Sequence, residues 1–435
     1  MPRKTVTNWG NFPKVDANVT ESSNRSEILE LVERSESLIA RGNGRCYGDS
    51  SLAENIFSTL RLNKFLEFDR SAGTIECESG VLLSDILDIC VPNGFFLPVT
   101  PGTKFITVGG AIAADVHGKN HHREGSFANY IERFDLVTAN GEIVRCSTTE
   151  HADLFWQTCG GMGLTGIILS AKFQLKSIET AYIQQISHKT SDIESTMKLF
   201  ERLHGSTYSV AWIDCFAPKK NIGRSILMLG EHSRLNELSN KQQREPLRKA
   251  PEVALNIPVF MPSFALNYLS IRTFNSLYYH RHIHSEAKTT VHFDPFFYPL
   301  DGMANWNRVY GKRGFVQYQF VLPKETSYDG IVKILEKVRF SGQGSPLAVL
   351  KLFGKANPHA VMSFPMEGYT LTLDFKATPT VFRLLDELDE IVLDNRGRLY
   401  LAKDARMSEA TFKRSYSNVI PSGIFGSNQS KRLKF

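Results

Sequence analysis

Long apolar runs are missing from this chain. None of its 435 residues falls in an apolar stretch of about 18, the length a helix needs to cross a bilayer. The opening stretch from Met1 to Val15 has no apolar segment of the kind a secretory leader carries. No glycine follows Met1 and the chain ends Arg432-Leu433-Lys434-Phe435, so no lipidation motif is predicted. Cysteine is scarce as well: Cys46, Cys77, Cys90, Cys146, Cys159 and Cys215 form no C-x-x-C pair and sit mostly in apolar runs. Buried reduced thiols and a cytoplasmic location are expected. Excess charge of one sign is modest, at +6 with a pI near 8.8. The basic residues form short clusters at Lys219-Lys220, Arg244 to Lys249 and Lys431 to Lys434, not a stripe. That pattern argues against nucleic acid and suits an anionic ligand or an anionic membrane surface. No internal repeat is visible. No G-x-G-x-x-G opens a helix after a first strand, which disfavours a nicotinamide dehydrogenase.

What is present is an ordinary globular composition, 42% apolar and 22% charged, in a chain long enough for two or three domains. Residues 26–36 read as an amphipathic helix and 37–41 as a strand entering Gly42-Asn43-Gly44. Residues 74–78 read as a strand, with Ser84 capping a helix over 85–90. A buried strand is expected over 95–99. Residues 131–139, the turn Asn140-Gly141 and 142–146 give a β-hairpin signal, and 164–175 a long strand. Short strands mixed with short helices predict an α+β domain over 1–178. Further on, antiparallel strands are expected at 208–216, 225–229, 289–293, 315–322, 347–353 and 369–375, with helices at 191–203 and 328–340. These predict a second α+β domain over 179–375 whose sheet covers a site on the first. A helix over 380–393, a strand over 398–402 and a helix near 408–416 fill a C-terminal segment, 376–435. The proline-rich stretch 241–270 reads as a long loop.

Two segments carry chemistry. The first is Arg41-Gly42-Asn43-Gly44-Arg45-Cys46-Tyr47-Gly48-Asp49. The second runs from Pro101-Gly102-Thr103 through Thr107-Val108-Gly109-Gly110 and Ala114-Asp115-Val116-His117-Gly118. Glycine lets backbone amides approach a ligand with no Cβ between, and rows of free amides make nests for a pyrophosphate. Two tight turns between strands are the plainer explanation. His117, His121 and His122 have a spacing that could seat a metal, but no H-E-x-x-H glutamate accompanies them, and no metal site is predicted.

Together with Gly160-Gly161-Met162-Gly163-Leu164-Thr165-Gly166-Ile167, these segments resemble the FAD-binding domain of the vanillyl-alcohol-oxidase, or PCMH-type, flavoproteins. The run His117 to His122, with Gly125-Ser126-Phe127, is narrower and resembles the polyprenyl-phosphoryl-ribose 2′-oxidases. That likeness continues through Trp212-Ile213-Asp214, Pro299-Leu300-Asp301, Trp306-Asn307-Arg308, Gln317-Tyr318-Gln319-Phe320, Lys351-Leu352-Phe353-Gly354 and Arg398 to Asp404, so it covers nearly the whole chain. It implies an FAD-binding domain of two parts plus an antiparallel-sheet cap domain. It also implies oxidation of a sugar secondary alcohol, the ribose 2′-hydroxyl of a polyprenyl-phosphoryl-β-D-ribose, by hydride transfer to flavin. A separate ketoreductase would then complete epimerisation to arabinose. A lipid-linked substrate implies peripheral contact with the inner face of the plasma membrane.

The resemblance assigns roles. Lys403 would stand beside the flavin and the substrate, although alone it reads as a solvated surface charge at the end of the short strand 398–402. His117 would lie against the flavin, with a structural histidine as the alternative. Gln319 and Lys351 would reach the pocket from the cap sheet, and Tyr400 would line the flavin edge. The residues expected to hold the cofactor are 41–49, Gly102, Thr107, Val108, Gly109, Gly110, Ala114, Asp115, Val116, His117, Ile167 and Tyr400. Tyr47 and Trp212 are either core aromatics or walls of the substrate site. Where relatives tether FAD through histidine this chain has Arg45, which implies noncovalent FAD.

There are other departures. Thr372 replaces the substrate-side cysteine, so cysteine-directed inhibitors should lose their target. The stretch 416–424 is shorter than the pattern, and the residues flanking Phe297 differ. Two alternatives stay open: an aldonolactone or alditol oxidase on a soluble sugar, and a flavin-binding scaffold without turnover. The basic start and apolar run of 241–270 fit a lipid headgroup surface, or a disordered linker.

Overall fold

A computed structural model describes residues 3–251, 255–262, 264–417, 419–420 and 423–435. Three sheets organise it. A small one runs Lys4–Thr7, Lys14–Glu21, Asn55–Ser58, Ile39–Arg41, its first pair antiparallel and the others parallel. A five-stranded antiparallel sheet runs Phe65–Asp69, Thr74–Glu78, Ile167–Gln174, Ile131–Val137, Ile143–Ser147. The expected hairpin forms its edge, with Gly141 supplying the left-handed turn conformation at φ +73°.

The third sheet has eight strands in the order Glu286–His292, Tyr182–Thr190, Ser225–His232, Tyr208–Ile213, Ala348–Phe353, Gly368–Lys376, Phe315–Pro323, Arg398–Leu399. Every pairing in it is antiparallel. Side chains alternate faces along a strand, and here the alternation divides labour. Ala211, Ile213, Leu227, Leu229, Tyr318, Phe320, Leu350, Leu371 and Leu373 join a core packed by helices Ile193–Arg202, Lys324–Ser341 and Pro379–Asp394. Their neighbours Val210, Trp212, Met228, Gln317, Gln319, Val349, Lys351, Thr372 and Asp374 point to a cavity on the other face. This mixed architecture is the α+β class expected.

Several expectations about local structure are corrected. Ser84 is not a cap: the helix is Leu83–Cys90, and the amides of Leu83 and Ser84 donate to the carbonyls of Ile106 and Lys104, which removes the need for one. The strand at 95–99 shrinks to Phe95–Phe96, paired with Lys176–Ser177. The strand at 398–402 ends at Leu399, and residues beyond it turn. The stretch 241–270 is not one loop. It holds the short helix Asn240–Gln243 and the strand Leu255–Asn256, parallel to Met303–Ala304. It also holds the start of helix Tyr268–His280, capped by Asn267 through the amides of Leu269 and Ser270. Part of that stretch, 252–254 and 263, lies outside the described residues, as do 418 and 421–422 of the shortened segment. Among the described residues, no helix is long and apolar enough to cross a membrane.

Candidate active site

A cavity of about 720 Å³ lies between the glycine segments and the eight-stranded sheet. The first segment leaves strand Ile39–Arg41 and is pinned from several sides. Trp9 and Tyr47 donate their amides to the carbonyls of Cys46 and Ala402, Asn8 Nδ2 donates to Gly48 O at 2.8 Å, and Asn43 Nδ2 donates to Phe105 O at 2.8 Å. Close approach explains two of its glycines. A Cβ on Gly42 would stand 2.2 Å from Thr107 Oγ1, so the two segments touch there. A Cβ on Gly48 would stand 1.8 Å from the carbonyl oxygen of Asp404. The Arg45 guanidinium lies over the Trp9 ring, 4.0 Å from its centroid.

In the second segment Thr107 caps helix Val108–Ala113, accepting from the Gly110 amide at 3.2 Å. Gly109 donates to Ser79 O at 2.8 Å and packs against the Ser79 side chain. Small residues on this helix leave a smooth wall at Gly109, Gly110, Ala113 and Ala114. Gly163 and Gly166 from the third glycine run close the same side.

The opposing wall carries the titratable groups. His117 is buried, with its ring against Phe353, Phe364 and Tyr400. The Gln319 amide nitrogen lies 3.1 Å from His117 Nε2 and 3.2 Å from Thr370 Oγ1. An amide nitrogen can only donate, so Nε2 accepts and the ring proton belongs on Nδ1. Nδ1 is buried with no hydrogen-bond partner among the described residues. Burial, and after it Lys351, pushes the His117 pKa well below its usual value, which keeps the ring neutral. Tyr400 donates its hydroxyl to Ala114 O at 3.1 Å and its amide to Gln319 O at 2.9 Å, linking both walls.

Lys403 is not a solvated strand-end charge. It sits half-buried in a turn closed by its amide on Tyr400 O, with Nζ 3.9 Å from the centroid of the Tyr47 ring. Burial lowers its pKa to about 7, with Asp374 opposing and Lys351 adding to the fall. Asp374 accepts from Gln317 Nε2 at 2.6 Å and from the Tyr310 hydroxyl at 3.3 Å, and burial raises its carboxyl to about 6. Lys351 is pushed down to about 8 by burial.

The structure therefore gathers Arg41 to Tyr47, Gly102, Thr107, Gly109, Gly110, Ala114, Val116, His117, Gln319, Lys351, Tyr400 and Lys403 around one cavity. Trp212 and Thr372 also line it. Gly48, Asp49, Val108, Asp115 and Ile167 are not among the residues that line it. Val108 and Ile167 are fully buried in apolar cores. Gly48 packs on Asp404. Asp115 is buried behind the wall, accepting from Ser126 Oγ at 2.8 Å and the Ala128 amide at 2.9 Å, and so fixes the turn before His117.

Asp49 and Asp404 share Arg432 of the C-terminal helix Asn428–Leu433, each at 2.8 Å. That arginine ties the first segment to the Lys403 turn. Sequence reasoning missed this bridge and the cavity residues Ser79, Lys119, Arg281 and Asp374. Only the alternation of apolar and polar residues in 369–375 hinted at Asp374. Histidines 121 and 122 diverge: His121 Nδ1 accepts from the Gly354 amide, while His122 Nε2 lies 2.9 Å from Ser206 O. Among the described residues no group of three His, Cys, Asp or Glu side chains is placed to hold a metal.

The cavity fits FAD. Its size is within the range of cofactor sites, and a smooth small-residue wall admits a flat ring system. Buried polar atoms without partners among the described residues, Arg41 Nε, Ser79 Oγ and His117 Nδ1, belong to lining residues, as a polar ligand's site would provide. Residues 13–147 match the FAD binding domain family. Over 99% of its length the chain is 35% identical to decaprenylphosphoryl-beta-D-ribose oxidase of Mycolicibacterium smegmatis, covering 97% of that protein. It is 30% identical, over 81% of its length, to the whole of an uncharacterized Streptomyces coelicolor protein from the mprA 5′ region. Similarity to L-gulonolactone oxidase of Scyliorhinus torazame, 27%, is confined to 38% of each chain. Fold and site thus define an FAD-dependent oxidoreductase. Within that class, the chain belongs to the decaprenylphosphoryl-β-D-ribose oxidase family.

Proposed function

We propose that this enzyme oxidises the 2′-hydroxyl of a polyprenyl-phosphoryl-β-D-ribose to the 2-keto sugar. The observation that carries the reading is the convergence of Lys403, Gln319 and Lys351 with His117 of the second glycine segment on one cavity. When bound, FAD supplies the hydride acceptor. The chain does the rest. Residues 41–47, with Gly109, Gly110 and Ala114, would hold the cofactor, and Tyr400 and His117 would stand against it. His117, neutral, offers its unpartnered Nδ1–H as a donor. Lys403 and Asp374, with pKa values drawn toward neutrality, handle the proton that leaves the hydroxyl as the C2 hydride departs. Binding and positioning divide along the chain: 1–178 for the cofactor, 179–375 for the substrate, and 376–435 returning to the flavin side with Tyr400 and Lys403. A separate ketoreductase then reduces the product.

A lipid-linked substrate also calls for contact with an anionic membrane surface, and the exposed side chains support one. Leu255, Val259, Phe264, Leu269, Leu277 and Ile283 are each more than 60% exposed. The stretch 253–285 contains no aspartate or glutamate but has Arg272, Arg281 and three histidines. The patch reaches beyond 241–270 onto helix Tyr268–His280, which also sends Phe274 and Tyr278 to the cavity.

The deciding experiment adds a short-chain prenyl-phosphoryl-β-D-ribose anaerobically to the purified yellow protein. Rapid bleaching of the flavin supports the reading. Bleaching by free aldonolactones or alditols instead would transfer the enzyme to the soluble-sugar oxidases, and no bleaching by any of these would favour a scaffold.

A further inference from the structure

The cavity lining holds six basic side chains, Arg41, Arg45, Lys119, Arg281, Lys351 and Lys403, and two carboxylates, Asp301 and Asp374. Most of that excess has an evident role. Arg41 and Arg45 stand in the first glycine segment, and the Arg45 guanidinium feels the Asp301 carboxylate. Lys403 feels Asp374. Lys119 and Lys351 are different. No carboxylate acts on either of them, whereas Arg45 has Asp301 and Lys403 has Asp374. Lys119 Nζ donates to the carbonyl of Phe297 at 3.1 Å and lies over the rings of Phe296 and Phe297. A carbonyl and two ring faces orient an ammonium without cancelling its charge. Its backbone is fixed, since the Ser209 amide donates to Lys119 O at 2.9 Å. Lys351 projects from strand Ala348–Phe353, within electrostatic reach of Lys119 on one side and of His117 and Lys403 on the other.

Two ammonium groups drawn partly out of water on the lining of one cavity, with no carboxylate acting on either, are costly to keep. The arrangement is sensible when an anion arrives between them, and a lysine pair is a point-charge site suited to phosphate. We propose that Lys119 and Lys351 clamp the phosphodiester of the substrate, making Lys119 the residue that selects phosphorylated over neutral ribosides. This rests on the function proposed above. The phosphate is carried on the sugar carbon next to the one oxidised. Groups that hold it must therefore adjoin the groups that treat the hydroxyl, and Lys351 is the shared neighbour.

The acid–base state of the pair supports the assignment. Burial, then Lys351, brings Lys119 down to about 7, and burial brings Lys351 to about 8. A phosphodiester between them raises both, so binding takes up protons between pH 7 and 8 and weakens as pH rises through that window. The other groups facing them are His117 and His121, neutral throughout it, and Lys403 and Asp374. The difference between wild type and a Lys119 variant isolates the lysine.

The test uses FAD-loaded protein, farnesyl-phosphoryl-β-D-ribose and methyl β-D-ribofuranoside. Lys119→Met should raise KM for the phosphodiester by about tenfold or more with kcat within roughly threefold, collapsing the preference over the neutral riboside. Lys119→Arg should restore part of it. Inorganic phosphate should compete with the phosphodiester on wild type, and more weakly on Lys119→Met. Calorimetry in two buffers of different ionisation heat should show less proton uptake for the variant. An unchanged KM, a fall confined to kcat, or loss of FAD in place of substrate would overturn the clamp. Should Lys119→Met not fold, pH-independent inhibition of wild type between pH 7 and 8 by dimethyl phosphate, whose single charge is constant there, overturns it equally. Wild type that binds the phosphodiester but never bleaches rejects the catalytic reading and leaves the clamp standing.

Discussion

Arg432 offers the sharpest perturbation of the architecture. Its side chain is about a quarter exposed, while those of Asp49 and Asp404, which it joins, are 7% and 6% exposed. Lys or Arg removed from such a pair leaves buried carboxylates without a counter-charge, a loss of about 3–5 kcal/mol for a fully buried pair. Solvent reaching Arg432 reduces this to about 2–4 kcal/mol. The two aspartates are unequal. Asp404 also accepts from the amides of Arg406 and Met407, and with Arg432 beside it its pKa lies below the usual value. Asp49 relies mainly on the arginine, and burial already raises it. In Arg432→Met both pKa values rise, Asp49 first.

The sign follows from linkage. The deficit relative to wild type is largest where both carboxylates would be ionised, above their raised values, and it narrows as pH falls and they protonate. For a chain this long melting as one unit, 1 kcal/mol shifts Tm by about 1 °C, so the variant should melt roughly 2–4 °C low at pH 8. At pH 5.5 it should lie closer to wild type. Adding Asp49→Asn should recover part of the loss. Because the bridge spans the first glycine segment and the Lys403 turn, flavin affinity should fall too. Thermal melts at both pH values, with flavin fluorescence as a second signal, measure this. A gap independent of pH, or none, would refute the reasoning.

Lys403→Ala should slow flavin reduction by about 10²- to 10³-fold while the fold survives, and Lys403→Arg should also fail, since a planar fork does not replace a point ammonium; stopped-flow absorbance reads both. With Lys403 near 7, any step that needs its ammonium form should lose rate as pH rises past neutrality, and Lys403→Ala should flatten that limb. FAD should be noncovalent, because Arg45, stacked on Trp9, stands where a tethering histidine would: acid precipitation should leave yellow flavin in the supernatant, and colour held in the pellet would reject this. Charge reversal at Arg244, Arg248 and Lys249, each worth about 1 kcal/mol near an anionic surface, should cut co-sedimentation with anionic vesicles and slow a long-chain substrate. A short-chain substrate should be nearly unaffected, and Leu269→Ser with Leu277→Ser should act in the same direction. Equal effects on both substrates would remove the patch from membrane contact.

Sequence alone determined what is local. The period-two alternation in 315–322 and 369–375 specifies strands with one apolar and one polar face, and the glycine segments can be spelled out because close backbone approach tolerates no Cβ. The β-hairpin at Asn140-Gly141 was legible for the same reason: its turn chemistry lies in adjacent residues. Membership of an FAD-binding family followed from these motifs.

Tertiary structure decided which polar face meets which glycine wall, because that depends on contacts between residues hundreds of positions apart. It drew Lys403 and Lys119 partly out of solvent and lowered their pKa values, which no spacing encodes. It turned Asp115 into a prop behind His117, and Asp49 into one half of a bridge to Asp404 through Arg432. It also extended a helix into 268–280, where prolines upstream had suggested only a loop, since Asn267 supplies a cap whose effect depends on the chain around it. Local periodicity fixes the elements, while desolvation and counter-charge, which give these side chains their chemistry, arise only when distant segments close on one another.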